Sequence, residues 1–143
     1  MAIDSGKEQG CTILVAEDDP DDRLIIKAAF DAEGIPHLVR FVNDGEELID
    51  YLKGKTQSLE KLPPDVLVLD LNMPRKDGLK ALREIRQDPD LAHLQVVVLT
   101  TSGARRDRDR CSRLGISSYM VKPSDFDGFL HFVKSLGRMC GCT

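Results

Sequence analysis

The sequence predicts an α/β domain built on a mainly parallel sheet, and three observations predict it. Five short apolar runs alternate with five stretches of helical periodicity. Such alternation folds through right-handed crossovers into a parallel sheet with helices on both faces, a three-layer arrangement. The runs at 66–70 and 95–100 are almost continuously apolar and rich in Val and Leu, as central strands covered on both faces must be. Two of the runs end in acids, Glu17-Asp18-Asp19 after the first and Asp70 after the third, and the carboxyl edge of such a sheet is where open α/β folds place their chemistry.

The elements follow in order. After a polar leader, Thr12–Ala16 is the first strand, and Asp19 is suited to cap a helix beginning near Asp21. That helix, 21–33, carries Leu24, Ile25, Ala28 and Ala29 at helical spacing and stops at Gly34 and Pro36. Leu38–Val42 is mixed in polarity, as an edge strand is. A helix at 46–53 turns Leu48, Ile49 and Leu52 to one side, and a long connection, 54–64, reads as a surface loop or a lengthened helix end. The third strand, 66–70, breaks at Pro74 and Gly78 into a helix at 79–87 with Leu79, Leu82 and Ile85 inward. The fourth strand, 95–100, leads to a highly charged helix at 104–114 whose few apolar residues are Cys111 and Leu114, closed by Gly115. The fifth strand, 117–121, precedes a helix at 125–136 that carries Phe126, Phe129, Leu130, Phe132 and Val133.

Composition narrows the function. The 143 residues are enough for one domain with a real core, taken as 11–137, with a leader at 1–10 and a tail at 138–143. Apolar residues make up 41% and charged residues 31%, an ordinary globular balance, and the net charge of −4 argues against nucleic acid as a partner. No run approaches the roughly 18 apolar residues of a membrane span, and the leader lacks the apolar core of a signal peptide, so a cytoplasmic location is expected. Tryptophan is absent, which excludes a tryptophan-anchored site. The four cysteines have no second pair or His-x-His spacing beside them, so reduced thiols are expected and a structural zinc site is not.

If the first and third strands are neighbours, their terminal acids converge. Converging carboxylates repel unless a hard cation sits among them, and Mg²⁺ takes one or two carboxylates together with water or phosphate oxygens. A metal-assisted phosphate site is therefore expected from the residues alone.

Four short motifs, each at a strand end, carry a resemblance: Val15-Ala16-Glu17-Asp18-Asp19, Leu69-Asp70-Leu71-Asn72-Met73-Pro74 with Asp77-Gly78, Leu99-Thr100, and Tyr119-Met120-Val121-Lys122-Pro123. In this order they resemble the receiver domain of two-component response regulators over essentially the whole chain. The resemblance implies a doubly wound, flavodoxin-like sheet of five strands in the order 2-1-3-4-5. It implies Asp70 as phospho-acceptor, a carboxylate that forms an aspartyl phosphate. It implies Glu17 and Asp18 as the acidic pair that holds Mg²⁺, Asp18 directly and Glu17 either directly or through water, with Asp70 and the backbone carbonyl of Asn72 completing the protein ligands. Asp19 is the rival for those roles, and capping is the reading preferred for it. Thr100 is the hydroxyl expected to meet a phosphoryl oxygen, although Thr101 and Ser102 follow at once. Lys122 is expected to pair with the carboxylates before phosphorylation and with the phosphoryl group after it, and its peptide bond to Pro123 is expected to be cis. Tyr119, one of two tyrosines, matches the switch aromatic that moves with the strand-four hydroxyl.

The same resemblance implies a sensor histidine kinase as phosphodonor. The output implied is partner binding, a homodimer through the fourth helix, fifth strand and fifth helix, or onward transfer to a histidine phosphotransfer protein. Arg105, Arg106, Arg108, Arg110 and Arg113 crowd the fourth helix, either as a solvated face of local ion pairs or as a docking patch for an acidic partner or a second copy. No output domain follows in this sequence, so a stand-alone receiver is expected, and the loop at 54–64 with the segment around Asp70 resembles the regulators paired with phytochrome-type kinases. Two other classes compete. A Mg²⁺ phosphohydrolase with an aspartyl-phosphate intermediate often carries a second Asp two residues after its nucleophile, where this chain has Asn72. A phosphorylation-independent adaptor would not need the complete set of acids, hydroxyl and lysine.

Overall fold

The computed structural model describes residues 11–34, 38–54 and 64–140. Five strands, β1 (Thr12–Ala16), β2 (Leu38–Val42), β3 (Val66–Leu69), β4 (Val96–Thr100) and β5 (Ser118–Val121), alternate with five helices, α1 (Pro20–Glu33), α2 (Gly45–Leu52), α3 (Gly78–Gln87), α4 (Arg105–Arg113) and α5 (Phe126–Met139). All pairs are parallel, as the alternation of strands and helices predicts, and the order is β2-β1-β3-β4-β5, as the resemblance implies. The leader, residues 55–63 of the long connection and Cys142 lie outside the described residues.

Strand pleating divides the core into two layers. Ile13, Val15, Val66, Val68, Val97 and Leu99 face α1 and α5, where Ile26, Phe30, Phe129, Phe132 and Leu136 meet them. Leu14, Ala16, Leu67, Leu69, Val96 and Val98 face α2, α3 and α4, against Leu48, Ile49, Leu82, Ile85 and Cys111. Because the two central strands alternate between two apolar layers, every side chain along them is buried, and their sequences show no polar alternation.

Four aspartates start four helices. Asp19, Asp44, Asp77 and Asp125 each accept a hydrogen bond from a backbone N–H in the first turn, which satisfies donors that would otherwise be left open. The capping expected of Asp19 is thus observed. α4 differs: Ala104 precedes it without a side-chain cap, and Cys111 is its one fully buried residue.

Three local expectations change. On α1 the inward residues are Ile26, Ala29 and Phe30, whereas Leu24 is 67% exposed and Ile25 half-buried. The large Phe30 sets the helix phase, and the smaller apolar residues on the flank turn outward. α5 passes the end expected at Leu136, running to Met139 with Cys140 buried behind it. Gly137 does not end the helix, because it is packed inside on the stripe of Val133, Leu136 and Cys140. No described peptide bond is cis, that between Lys122 and Pro123 included; the trans form is the intrinsically favoured one even before proline.

Candidate functional site

The expected site residues gather at the carboxyl edge of the sheet, and one ladder hydrogen bond beyond the strand fixes each of Glu17, Asp70 and Lys122. Glu17 N–H donates to the Val42 carbonyl at 3.0 Å, Asp70 N–H to Ala16 at 3.1 Å, and Lys122 N–H to Thr100 at 2.8 Å. Their backbones therefore belong to the sheet although their side chains leave it.

Glu17 and Asp70 are almost wholly buried, while Asp18 is exposed. One carboxylate oxygen from each of Glu17, Asp18 and Asp70 lies within 4.8 Å of the others. Lys122 reaches two of the three. Its ammonium lies 2.7 Å from Glu17 Oε1 and 3.1 Å from Asp70 Oδ2. The other Asp70 oxygen, Oδ1, accepts the Asn72 N–H at 3.1 Å. Two charges of opposite sign thus meet with their side chains less than a tenth exposed, in surroundings where such hydrogen bonds are short and strong.

Burial pushes the Glu17 carboxyl up to about 7, against the downward pull of its bonds to Lys122 and to the Asp19 N–H. The Asp70 charge pushes in the same direction as burial. Burial alone would lower the Lys122 ammonium, but its bonds to Asp22 and Glu17, with the charge of Asp70, raise it above the usual lysine value. The lysine stays charged, and the acids facing it carry more negative charge than it neutralises.

Arg23 of α1 ties the site's frame to β2. Arg23 Nε donates to the Glu17 carbonyl at 2.6 Å, its Nη2 donates to Asn43 Oδ1 at 2.6 Å, and its guanidinium lies 5.2 Å over the Phe41 ring. Behind Asp70, Gly78 closes the turn into α3: a Cβ there would stand 2.3 Å from the Asp70 carbonyl oxygen, so only glycine fits. A cleft of about 500 Å³, lined by Asp19, Asp22, Ile25, Lys122 and Phe126 among others, opens beside the acids.

Thr100 ends β4 fully buried, and its hydroxyl accepts from Ser102 N–H at 3.4 Å. Thr101 is exposed and accepts from the Asn72 side chain at 3.2 Å. Tyr119 is half-buried against the α2–α4 layer, and its hydroxyl donates to the Ser102 carbonyl at 2.7 Å.

One residue of the cluster escaped the sequence. Asp22 Oδ2 lies 2.6 Å from the Lys122 ammonium, its shortest contact with a carboxylate. The available signal was the cap: with Asp19 as N-cap, Asp22 is the third helical residue, one turn on and next to the acidic pair.

Three carboxylate oxygens converging from two strand ends form a hard donor set, the chemistry a divalent cation such as Mg²⁺ requires. The acidic cluster can therefore hold a divalent metal.

Comparison with known proteins agrees with this geometry. The family model described as response regulator receiver domain matches residues 13–134. Response regulator Rcp1 of Synechocystis sp. is 31% identical over 124 residues, spanning 87% of this chain and 84% of that protein. The solved Mn(2+)-bound form of Rcp1 superposes with a TM-score of 0.79 at 30% identity, covering 88% of this chain and 91% of that one. The phosphorylated cyanobacterial phytochrome response regulator RcpA gives a TM-score of 0.81 at 34% identity, covering 88% and 90%. A response regulator in red light signaling of R. palustris gives 0.80 at 37%, again covering 88% and 90%. No helix among the described residues is long and apolar enough to cross a membrane. With the fold, the acidic cluster and these likenesses together, the chain belongs to the response regulator receiver family of two-component signalling.

Proposed function

We propose that Asp70 accepts a phosphoryl group from the phosphohistidine of a sensor histidine kinase, with Mg²⁺ held by Glu17, Asp18, Asp70 and the Asn72 backbone carbonyl. The observation that carries this reading is Asp70 itself, buried beside two acids and tethered at both oxygens, to Lys122 at 3.1 Å and to the Asn72 N–H at 3.1 Å. When bound, Mg²⁺ neutralises the converging negative charge of carboxylates and phosphoryl oxygens. A carboxylate oxygen of Asp70 bonds to phosphorus as the P–N bond of the donor breaks, and the electron pair leaves with the imidazole nitrogen. Lys122 then transfers one N–H from Asp70 to a phosphoryl oxygen, and the Thr100 hydroxyl turns from Ser102 towards another. Catalysis by the chain is confined to its own phosphorylation and dephosphorylation.

The output follows from the weakest anchored element. α4 has no side-chain cap and one fully buried residue, and Tyr119 bonds to the loop before it. A displaced Thr100 moves that loop and resets the surface of α4, β5 and α5, where Val121 and Phe126 are exposed. That surface is the proposed contact for a partner or a second copy, with a histidine phosphotransfer protein as the alternative recipient. Likeness to RcpA and to a regulator in red light signaling supports a phytochrome-type kinase as donor, and a cytoplasmic setting fits such a relay.

Incubation with Mg²⁺ and acetyl phosphate, read by intact mass beside Asp70→Asn, tests the reading. One phosphoryl increment on the wild type, absent from the variant and abolished by EDTA, is expected. No increment under conditions that label another receiver would overturn it in favour of constitutive binding.

A further inference from the structure

An ammonium group has three N–H donors, and the three of Lys122 meet three carboxylates: Asp22 Oδ2 at 2.6 Å, Glu17 Oε1 at 2.7 Å and Asp70 Oδ2 at 3.1 Å. Two of these acceptors also belong to the triangle that can hold a cation; Asp22 does not. Its backbone is firmly placed. Asp22 stands in the first turn of α1, which Asp19 caps and which Ile26, Ala29 and Phe30 pin to the core. Its partner is a flexible four-carbon side chain with no preferred direction of its own.

A cation drawn to Glu17 and Asp70 weakens their hold on Lys122, and phosphorylation removes the charge of Asp70 altogether. Through both events one carboxylate remains wholly available to the lysine. We propose that Asp22 is the positioning residue of phosphoryl transfer: it anchors the Lys122 ammonium so that the N–H now on Asp70 is aimed at the incoming phosphoryl oxygen. The proposal rests on Asp70 being the acceptor. Asp22 acts through Lys122 and need not touch the phosphoryl group. It does not compete with Asp70, since each takes a different N–H of the same ammonium.

The test compares Asp22→Ala, Asp22→Asn and Asp21→Asn with the wild type. Asp21 is an exposed acid in the same helical turn, so its variant controls for the loss of one negative charge. With phosphoramidate as donor and saturating Mg²⁺, Asp22→Ala is expected to phosphorylate about tenfold more slowly, the scale of a misaligned reacting group. Asp22→Asn, which keeps an oxygen acceptor, recovers part of the rate; Asp21→Asn keeps all of it. The Mg²⁺ concentration for half-maximal rate is expected to stay unchanged. A second readout needs no phosphorylation: acylation of Lys122 by an amine reagent, followed by peptide mass, is expected to rise in Asp22→Ala and not in Asp21→Asn. Equal rates for Asp22→Ala and Asp21→Asn, a change confined to the Mg²⁺ dependence, or unchanged Lys122 acylation would each overturn the proposal. A wild type that takes no phosphoryl group instead overturns the role of Asp70, and the acylation result still decides whether Asp22 holds Lys122. Should Asp22→Ala fail to fold, the partial loss and partial acylation of Asp22→Asn carry the same decision.

Discussion

The Tyr119 hydroxyl donates to the backbone carbonyl of Ser102 at 2.7 Å, joining the second residue of β5 to the loop between β4 and α4. Ser102 is itself tied on both sides. Its hydroxyl donates to Asp107 in the first turn of α4 at 2.5 Å, and its N–H donates to the Thr100 hydroxyl at 3.4 Å. Arg108 lies 4.7 Å over the Tyr119 ring, in the geometry of a cation–π contact. Through Ser102 one phenol is thus linked to the end of β4 and to the uncapped start of α4, with two hydrogen bonds between Tyr119 and Thr100.

Removing that hydroxyl is expected to loosen α4 without disturbing the core. Tyr119→Phe should lose about 1 kcal/mol, the usual net value of a hydrogen bond, with faster amide exchange in the loop and the first turn of α4. Burial holds the Tyr119 phenol above the ordinary tyrosine value. The folded state therefore favours the neutral phenol, and its contribution, complete below that ordinary value, is lost as pH rises past it. Tyr51 has a buried hydroxyl with no partner among the described residues, so Tyr51→Phe is a mild background in which Tyr119 is the one tyrosine. An alkaline absorbance titration of that variant should have a raised midpoint; a midpoint at the free-tyrosine value would contradict the burial of the phenol.

Glu17 carries a different pH dependence. Its folded value, about 7, lies above the ordinary value of 4.5. Between these two the folded chain keeps a proton that the unfolded chain has released, so stability falls as pH rises through that window. Above it the full cost of a buried charge among like charges is present. Without metal, Glu17→Gln should therefore stabilise the protein at pH 8 by about 1 kcal/mol, a size common when functional strain is relieved. The gain should shrink towards pH 4.5. Urea melts in EDTA at both pH values measure it, and a loss at pH 8 would show that the bond to Lys122 outweighs the repulsion.

Sheet and site were legible for one reason: buried parallel strands are apolar runs, and an acid or a lysine that ends such a run can lie only at its edge. Asp70, Glu17 and Lys122 stood out on that ground, and the spacing of Asp19 from its helix marked it as a cap. The phase of α1 was not legible, because Leu24, Ile25, Ala28 and Ala29 also form an apolar stripe and packing of Phe30 decides between the two. The last turn of α5, beyond Leu136, was not legible because the buried stripe of Leu136 and Cys140 is recognised only once the sheet it covers is in place. The pairing of Asp22 with Lys122 spans 100 residues, and no local pattern links them. The partner of Tyr119 is a backbone carbonyl, which leaves no trace in residue identity.

Metal binding should appear as stability. A ligand that binds the folded state alone at a hundred times its dissociation constant adds about 2.7 kcal/mol, so Mg²⁺ should raise the melting temperature and EDTA should reverse it. Asp18 is exposed and shows no bond to Lys122, so Asp18→Asn should fold normally yet lose most of the Mg²⁺ shift. Asp21→Asn should retain it. Equal shifts in both variants would mean that the ion binds elsewhere on the acidic edge.

Two glycines separate two demands on the backbone. At Gly78 a Cβ would lie 2.3 Å from the Asp70 carbonyl oxygen and 2.7 Å from Leu71 Cα. Neither neighbour is the end of a flexible side chain, so the end of β3 or the start of α3 must move. Gly78→Ala should lose about 2 kcal/mol, as overpacked sites do, and should also slow phosphorylation because the atoms displaced include the backbone of Asp70. Gly115 sits in the left-handed region at φ 76°, with nothing within 4 Å of an added Cβ. Gly115→Ala should lose about 1 kcal/mol through backbone conformation alone and leave the phosphorylation rate intact. Melts and rates on both variants distinguish the two. If Gly78→Ala loses stability and keeps the wild-type rate, α3 has yielded rather than β3, and Asp70 is held more firmly by its bond to Ala16 than by the turn behind it.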